Sequence, residues 1–185
     1  LDLNTPEILL HEYTHHLMRS LWPSTAFPSW FVEGYAEFHA TARFERDGGV
    51  SFGLPPQYRG QGLLTRNALP AERLLTSQAL TLKGAEMDGL YGRGWLLTHY
   101  LSVSDKRPKQ LETYLTGINS GKTSLQAATD AFGDLRALDR ELESYKTGRF
   151  LGWTVPASLF TVGPIKLRKL TPGEAATMDV RITSK

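Results

Sequence analysis

The sequence predicts a mainly α-helical fold with little β structure and a short extended segment at the C-terminal end. Up to about residue 147, apolar residues recur every three or four positions in separate stretches, which is typical of amphipathic helices. Clusters of glycine and proline divide these stretches. From about Gly152 onward β-branched residues, proline and glycine dominate, and this composition favours extended structure.

The first predicted helix begins at Thr5 and ends near the Trp22-Pro23 pair. Thr5 suits the N-cap, Pro6 suits the first helical position, and Glu7 lies where the helix dipole stabilises a carboxylate. The apolar positions of this helix are Ile8, Leu9, Tyr13, Leu17, Met18 and Leu21. A second helix is predicted from Pro28 or Ser29 to about Arg46, where it is closed by Asp47-Gly48-Gly49.

The remaining elements follow the same signals. Val50–Leu64 is rich in glycine and proline and is predicted to be a loop or an irregular hairpin. Further helices are predicted near Ala71–Gln78, Met87–Val103, Pro108–Ile118, Ser124–Phe132 and Leu135–Thr147, the last capped by Asp134. Pro164–Leu170 and Met178–Thr183 are predicted to be extended. We expect residues 1–150 to form one domain and residues 151–185 to form a C-terminal extension or linker.

Composition narrows the class of protein. The 185 residues are 41% hydrophobic and 22% charged, as in a soluble globular domain. Acidic and basic residues are interspersed and the net charge is +2, so we expect no nucleic-acid partner, and no apolar run is long enough for a membrane span. The absence of cysteine rules out disulfides and thiolate ligands. The chain begins at Leu1 rather than Met, which indicates a processed form or a piece of a longer protein, and we expect a periplasmic or secreted location rather than a cytoplasmic one.

The central motif is a pair of histidines in the first helix, in the pattern His11-Glu12-Tyr13-Thr14-His15. Residues four apart lie on one helix face, so His11 and His15 can present two imidazoles to one zinc ion. Glu12 stands where a carboxylate can take a proton from a zinc-bound water. The alternative is that the motif is a chance match. A catalytic zinc site needs three protein ligands and an open position, so a third ligand would distinguish a zinc site from a coincidence.

The metzincins, one subclass of the zinc peptidases called zincins, do not fit. Their pattern needs Gly and His at positions 18 and 21, where this sequence has Met18 and Leu21. A second segment, seventeen residues after His15, reads Trp30-Phe31-Val32-Glu33-Gly34-Tyr35-Ala36-Glu37. It resembles the Trp-Leu-x-Glu-Gly-x-Ala-Glu segment of bacterial peptidase MA-like domains, and is similar to the Asn-Glu-Gly-Phe-Ala segment of gluzincin aminopeptidases. The resemblance implies a zincin-like α+β fold and makes Glu33 the third zinc ligand. A short connection over Leu21–Pro28 would let the second helix fold back towards the first.

Glu37 lies one helical turn beyond Glu33. In the thermolysin-like pattern an acidic residue at this offset holds a ligand histidine through its outer nitrogen, and the resemblance therefore implies that Glu37 orients His11. Two alternatives stay open. In the first, Glu37 is a charged residue on a solvated helix face. In the second, Glu37 is itself the third ligand in place of Glu33.

A third segment reads Leu90-Tyr91-Gly92-Arg93-Gly94-Trp95 and resembles the Tyr-Glu-Lys-Gly stretch of the gluzincin aminopeptidases. That resemblance implies that Tyr91 donates a hydrogen bond to the oxyanion, and the alternative is a core tyrosine. His99 is either a further donor or a core histidine, while His16 and His39 are expected to face away from the site. Asp88 is a minor alternative ligand, on a short likeness to aspzincins.

The predicted function is zinc-dependent hydrolysis of a peptide or protein substrate, with Glu12 as the base and Tyr91 as the oxyanion donor. The alternative is a non-catalytic zinc-binding or interaction module with a zincin-like fold. A zincin usually carries a β-sheet before the motif helix, and only four residues precede Thr5 here. The resemblance also extends to Ala131–Leu135, which looks like the closing part of peptidase MA-like domains and in several bacterial members of that family leads into helical repeats. Whether cleavage is internal or terminal stays open.

Overall fold

The computed structural model describes residues 5–64, 69–161 and 163–178. These ranges are mainly helical, which confirms the predicted fold class at that level. The α-helices are α1 (Thr5–Leu21), α2 (Ser29–Ala40), α3 (Gly60–Leu64), α4 (Ala71–Thr76), α5 (Ala85–Val103), α6 (Gln110–Asn119), α7 (Ser124–Phe132), α8 (Leu135–Tyr145) and α9 (Pro172–Ala176). Short 3-10 turns cover Gln57–Arg59, Ala79–Thr81 and Ala157–Leu159.

The described residues contain one small antiparallel sheet. Its strands, in spatial order, are β1 (Arg43–Phe44), β2 (Val50–Phe52) and β3 (Trp153–Val155). Phe44 pairs with Val50 across the first hairpin, and Val50 pairs in turn with Val155. The segment after residue 150 therefore begins with a strand that completes this sheet.

The predicted second helix was too long. It ends at Ala40, and the Thr41 hydroxyl donates to the Leu54 carbonyl oxygen at 2.7 Å. Asp47-Gly48 then acts as a hairpin turn rather than a helix stop: Gly48 has a φ of 85°, and Asp47 Oδ1 accepts from the Gly49 amide at 2.9 Å. The predicted loop or hairpin over Val50–Leu64 was wrong at its end, because Gly60–Leu64 is helical.

The other predicted helices are present, with ends displaced by three residues or fewer. The Asp134 cap is confirmed, since its side chain accepts from the Arg136 amide at 2.9 Å. Pro164–Leu170, which was predicted to be extended, forms neither helix nor strand and pairs with no strand of the described sheet. Most of the predicted strand Met178–Thr183, and the cap role of the Thr5 side chain, lie outside the described residues.

Two glycine contacts place the helices that surround the site. At the crossing of α2 and α5, a Cβ on Gly34 would overlap the Gly94 carbonyl oxygen, and a Cβ on Gly94 would lie 2.9 Å from the Trp30 carbonyl oxygen. At the crossing of α3 and α5, a Cβ on Gly92 would lie 2.5 Å from the Gly62 carbonyl carbon. Any side chain at these positions would separate the helices, so glycine sets both approaches.

The apolar core lies mainly between α2 and the helices from α4 to α8. Trp30 and Trp95 are fully buried in it, and the Trp30 Nε1–H donates to the Tyr114 hydroxyl oxygen at 3.2 Å. Tyr114 in turn donates to the Leu75 carbonyl oxygen at 3.2 Å, so this buried polar chain ends on backbone. The core thus fixes α2, the helix that carries Glu33.

Helix α1 turns its histidine face towards α2 and its apolar face outward. Thr14 and Met18 are buried on the inner face, in helical register with His11. Five of the six predicted apolar positions are exposed, namely Ile8, Leu9, Tyr13, Leu17 and Leu21. Within the described part of the chain, no helix has the length and hydropathy that crossing a membrane requires.

Two further polar clusters involve acidic residues of α8. The Arg93 side chain is fully buried and donates to Asp139 Oδ1 and to Glu143 Oε1, each at 2.7 Å. The Tyr100 hydroxyl and the Arg107 guanidinium both donate to the Glu141 carboxylate. These interactions tie α8 to α5 and to the segment that follows α5.

Candidate metal centre

His11 and His15 meet on the inner face of α1. Their Nε2 atoms lie 3.1 Å apart, and the two rings are edge to face at 86°. Both side chains are mostly buried, with 12% and 13% of their surfaces exposed. The four-residue spacing therefore brings two imidazole nitrogens to one point, as the sequence predicted.

Glu33 reaches the same point from α2. Its Oε2 lies 3.3 Å from His11 Nε2 and 3.6 Å from His15 Nε2. Ligand atoms bound at about 2.1 Å to a tetrahedral zinc lie about 3.4 Å from one another, so the three observed separations match such a site. Among the residues that the structure describes, this is the one cluster of three histidine or acidic side chains close enough to share a metal ion.

The charge of Glu33 also suits a cation. Burial alone would raise the pKa of this carboxyl, but its interactions with His11 and His15 outweigh burial and lower the pKa to about 2. Two imidazoles and one carboxylate form a donor set that zinc prefers, and they leave one tetrahedral position open. The residues present therefore fit the metal that the sequence implied.

Glu37 lies behind His11. Its Oε1 is 3.4 Å from His11 Nδ1, which is the pair of atoms that an orienting role requires. The alternative of a solvated helix charge is wrong, because the Glu37 side chain is fully buried. Glu37 faces the outer nitrogen rather than Nε2, and this geometry favours Glu33 over Glu37 as the ligand.

Two further residues, Tyr58 and Arg59, hold Glu37 and were missed in the sequence. The Tyr58 hydroxyl donates to Glu37 Oε2 at 2.7 Å, and Arg59 donates to Oε1 through Nε at 2.8 Å and through Nη2 at 2.7 Å. Both residues lie on the 3-10 turn that begins at Gln57. No sequence motif marks Tyr58 or Arg59. The sequence does not show that Glu37 is buried, or which distant cationic side chain pairs with it.

A small cavity opens beside His11, with a volume of about 120 Å³. Glu12 lines it and is exposed to solvent, so its carboxylate is accessible to water beside the first histidine. Tyr58 and Arg59 form another part of the wall. The cavity thus joins the candidate base to the candidate ligand.

Tyr91 lines the same cavity, from the second turn of α5. Its ring centroid is 6.2 Å from that of His11, and the Arg59 guanidinium carbon lies 4.1 Å above the ring. Burial raises the pKa of Tyr91, and the nearby Glu33 and Glu37 carboxylates add to this. The phenol therefore keeps its proton and can donate a hydrogen bond into the cavity.

The structure keeps the other candidates apart from this site. His99 is buried in the core, where its Nδ1 contacts the Tyr145 hydroxyl at 2.8 Å and its Nε2 contacts the Leu151 carbonyl oxygen at 3.1 Å. His16 is exposed, and His39 is bonded to the Tyr35 carbonyl oxygen, so both face away as predicted. Asp88 does not join the His11 cluster.

A larger, mainly apolar groove of about 620 Å³ lies where the α1–α2 connection meets α6. Trp22, Phe27, Phe31 and Tyr35 line it, and none of the candidate ligands does. The groove shares no lining residue with the cavity that contains Glu12, so the two are distinct.

No family model, curated protein or solved structure matched this chain. The class of site therefore depends on its residues alone. They form a candidate metal centre of two histidines and one glutamate, with a carboxylate and a protonated tyrosine beside it.

Proposed function

We propose that this chain is a zinc-dependent peptidase domain of the gluzincin type. One observation carries the proposal: the Nε2 atoms of His11 and His15 and Oε2 of Glu33 lie within 3.6 Å of one another. The donor set comes from two packed helices, and the buried core fixes α2, so the fold itself brings the three ligand atoms together. This pre-organisation is what a metal site of fixed geometry requires.

Each residue has a role in this proposal. His11, His15 and Glu33 hold the ion, which when bound polarises a carbonyl and lowers the pKa of water. Glu12 takes a proton from the attacking water and passes it to the leaving amine. The Tyr91 phenol donates a hydrogen bond to the developing oxyanion without adding a formal charge. Glu37 keeps His11 in the orientation that directs Nε2 at the ion.

The test of catalysis is the variant Glu12→Gln, which keeps the size of the side chain and removes the base. Zinc binding should persist, and cleavage of a mixed-sequence library of internally quenched peptides should fall by about 10²–10⁴-fold. Glu112→Gln, an exposed substitution on α6, is the matched control and should cleave like the wild type.

The outcomes separate the candidate functions. Zinc binding by a wild type that cleaves no peptide of the library would assign the chain to the non-catalytic zinc modules. Equal cleavage by wild type and Glu12→Gln would contradict the role of Glu12.

A further inference from the structure

The two oxygens of the Glu37 carboxylate are held by one short turn. Tyr58 donates to Oε2, and the Nε and Nη2 groups of Arg59 donate to Oε1, all at 2.7–2.8 Å. Glu37 is fully buried, and a buried carboxylate is costly unless it is both paired and hydrogen-bonded. These three hydrogen bonds therefore decide where Oε1 lies.

Oε1 is also the atom that faces His11. The outer nitrogen of His11 lies 3.4 Å from it, whereas His15 Nδ1 is buried and has no hydrogen-bond partner in the described part of the chain. Of the two candidate ligand imidazoles, only His11 is thus supported by a carboxylate at its outer nitrogen. A displacement of Glu37 would leave neither ring fixed in this way.

The turn that carries Tyr58 and Arg59 is itself anchored on α5. Arg59 lies 4.1 Å above the Tyr91 ring, at cation–π distance. Helix α3 follows the turn directly and approaches α5 at the Gly62–Gly92 contact. The residues that hold Glu37 are therefore fixed to the helix that presents Tyr91.

We propose that Tyr58 and Arg59 are positioning residues of the metal site. Through Glu37 they hold the His11 imidazole ready for the ion, and Arg59 also supports the Tyr91 ring from one side. This inference rests on the proposed function, because it assigns the two residues to the same centre. They act through Glu37 and do not bind the metal themselves.

The test compares two clusters of the same composition. Tyr58→Phe removes one hydrogen bond with no change of shape, and Arg59→Lys keeps the charge but loses the planar fork. Tyr100→Phe and Arg107→Lys make the same changes around Glu141, and none of these three residues lines the cavity or belongs to the His11 cluster. The zinc Kd of each full-length variant is measured by competition with a chromophoric chelator, and thermal unfolding of the metal-free proteins records effects on the fold.

Tyr58→Phe and Arg59→Lys should raise the zinc Kd by about 10-fold, the lower end of the effect of such outer partners on metal affinity. Arg59→Met should raise it further, because it lacks the charge that Lys retains. The Tyr100 and Arg107 variants should bind zinc like the wild type, even where they melt earlier.

Two results would overturn the inference while leaving the proposed function intact. In the first, the wild type binds zinc and the Tyr58 and Arg59 variants bind it equally well. In the second, the Tyr100 and Arg107 variants weaken zinc binding as much as the Tyr58 and Arg59 variants do, so that the effect belongs to the fold. A wild type without zinc affinity would instead overturn the proposed function and this inference together.

Discussion

Glu37 lies between Tyr58 and Arg59 much as Glu141 lies between Tyr100 and Arg107. In both clusters a phenol and a guanidinium donate to one carboxylate at 2.6–2.8 Å. The surroundings differ. Glu141 is 40% exposed, whereas Glu37 is fully buried and also faces a histidine, His11. The same chemistry therefore braces helices in one place and supports a candidate ligand in the other.

The histidines show the same contrast. Both nitrogens of His99 have protein partners, and since a carbonyl oxygen only accepts, Nε2 carries the proton and Nδ1 accepts from Tyr145. His11 and His15 instead direct their Nε2 atoms at each other and at Glu33. A histidine that the fold satisfies is structural, while histidines whose nitrogens converge on one point remain available to an ion. Three predictions test this contrast.

The largest expected effect comes from removing a cation in each cluster. Arg59→Met leaves the buried Glu37 without its charge partner and should lower the free energy of unfolding of the metal-free protein by about 3–5 kcal/mol. Arg107→Met should cost about 1–2 kcal/mol, because water can reach Glu141. Urea denaturation measures both, and equal losses would show that the burial of Glu37 is not what distinguishes the clusters.

The next effect concerns pH and His99. Burial lowers the pKa of His99 to about 4, from an ordinary value near 6.5. Because the folded pKa is depressed, the contribution of His99 to stability is present above pH 6.5 and is lost as the pH falls towards 4. Between pH 6.5 and pH 4 the free energy of unfolding of the wild type should therefore fall by up to about 3 kcal/mol more than that of His99→Gln. Urea denaturation at a series of pH values is the check, and parallel curves for the two proteins would refute it.

The smallest of the three effects tests the helix crossing that directs Glu33 at the histidines. Gly34→Ala puts a methyl group against the Gly94 backbone and should cost about 1–3 kcal/mol, as overpacked core sites do. It should also weaken zinc binding, because α2 must move away from α5. Gly173→Ala, where a Cβ meets nothing within 4 Å, is the control. Unchanged melting of Gly34→Ala would mean that the crossing is looser than the structure indicates.

Much of this architecture could be predicted because its signals are local. Helical periodicity and the Asp134 cap depend on neighbouring residues, so most of the helices and this cap were predicted correctly. The four-residue spacing of His11 and His15 puts both on one helix face, and the resemblance of the Trp30–Glu37 segment pointed to Glu33, which is why the cluster could be anticipated. Helix ends were harder: Asp47-Gly48 suits a helix stop and a hairpin equally, and only the pairing with β2 decides between them.

Other features depend on the fold as a whole. Tyr58 and Arg59 precede a helix that the glycine-rich composition concealed, and their distance in sequence from Glu37 gives no sign of the contact. The outward apolar face of α1 was likewise unexpected, since periodicity identifies an apolar face but not which face contacts the rest of the molecule. Contacts between distant segments therefore set the limit of sequence reasoning here.

The most direct test of the central claim is zinc binding by the metal-free protein, with Glu33→Gln and His99→Gln as the matched pair of variants. The wild type and His99→Gln should bind one equivalent, and zinc at about 1,000 times its Kd should stabilise them by about 4 kcal/mol in unfolding experiments. Glu33→Gln should lose most of this stabilisation, because a neutral amide replaces the only carboxylate in the cluster. A wild type that zinc does not stabilise, or a Glu33→Gln variant stabilised as strongly as the wild type, would contradict the proposed metal centre.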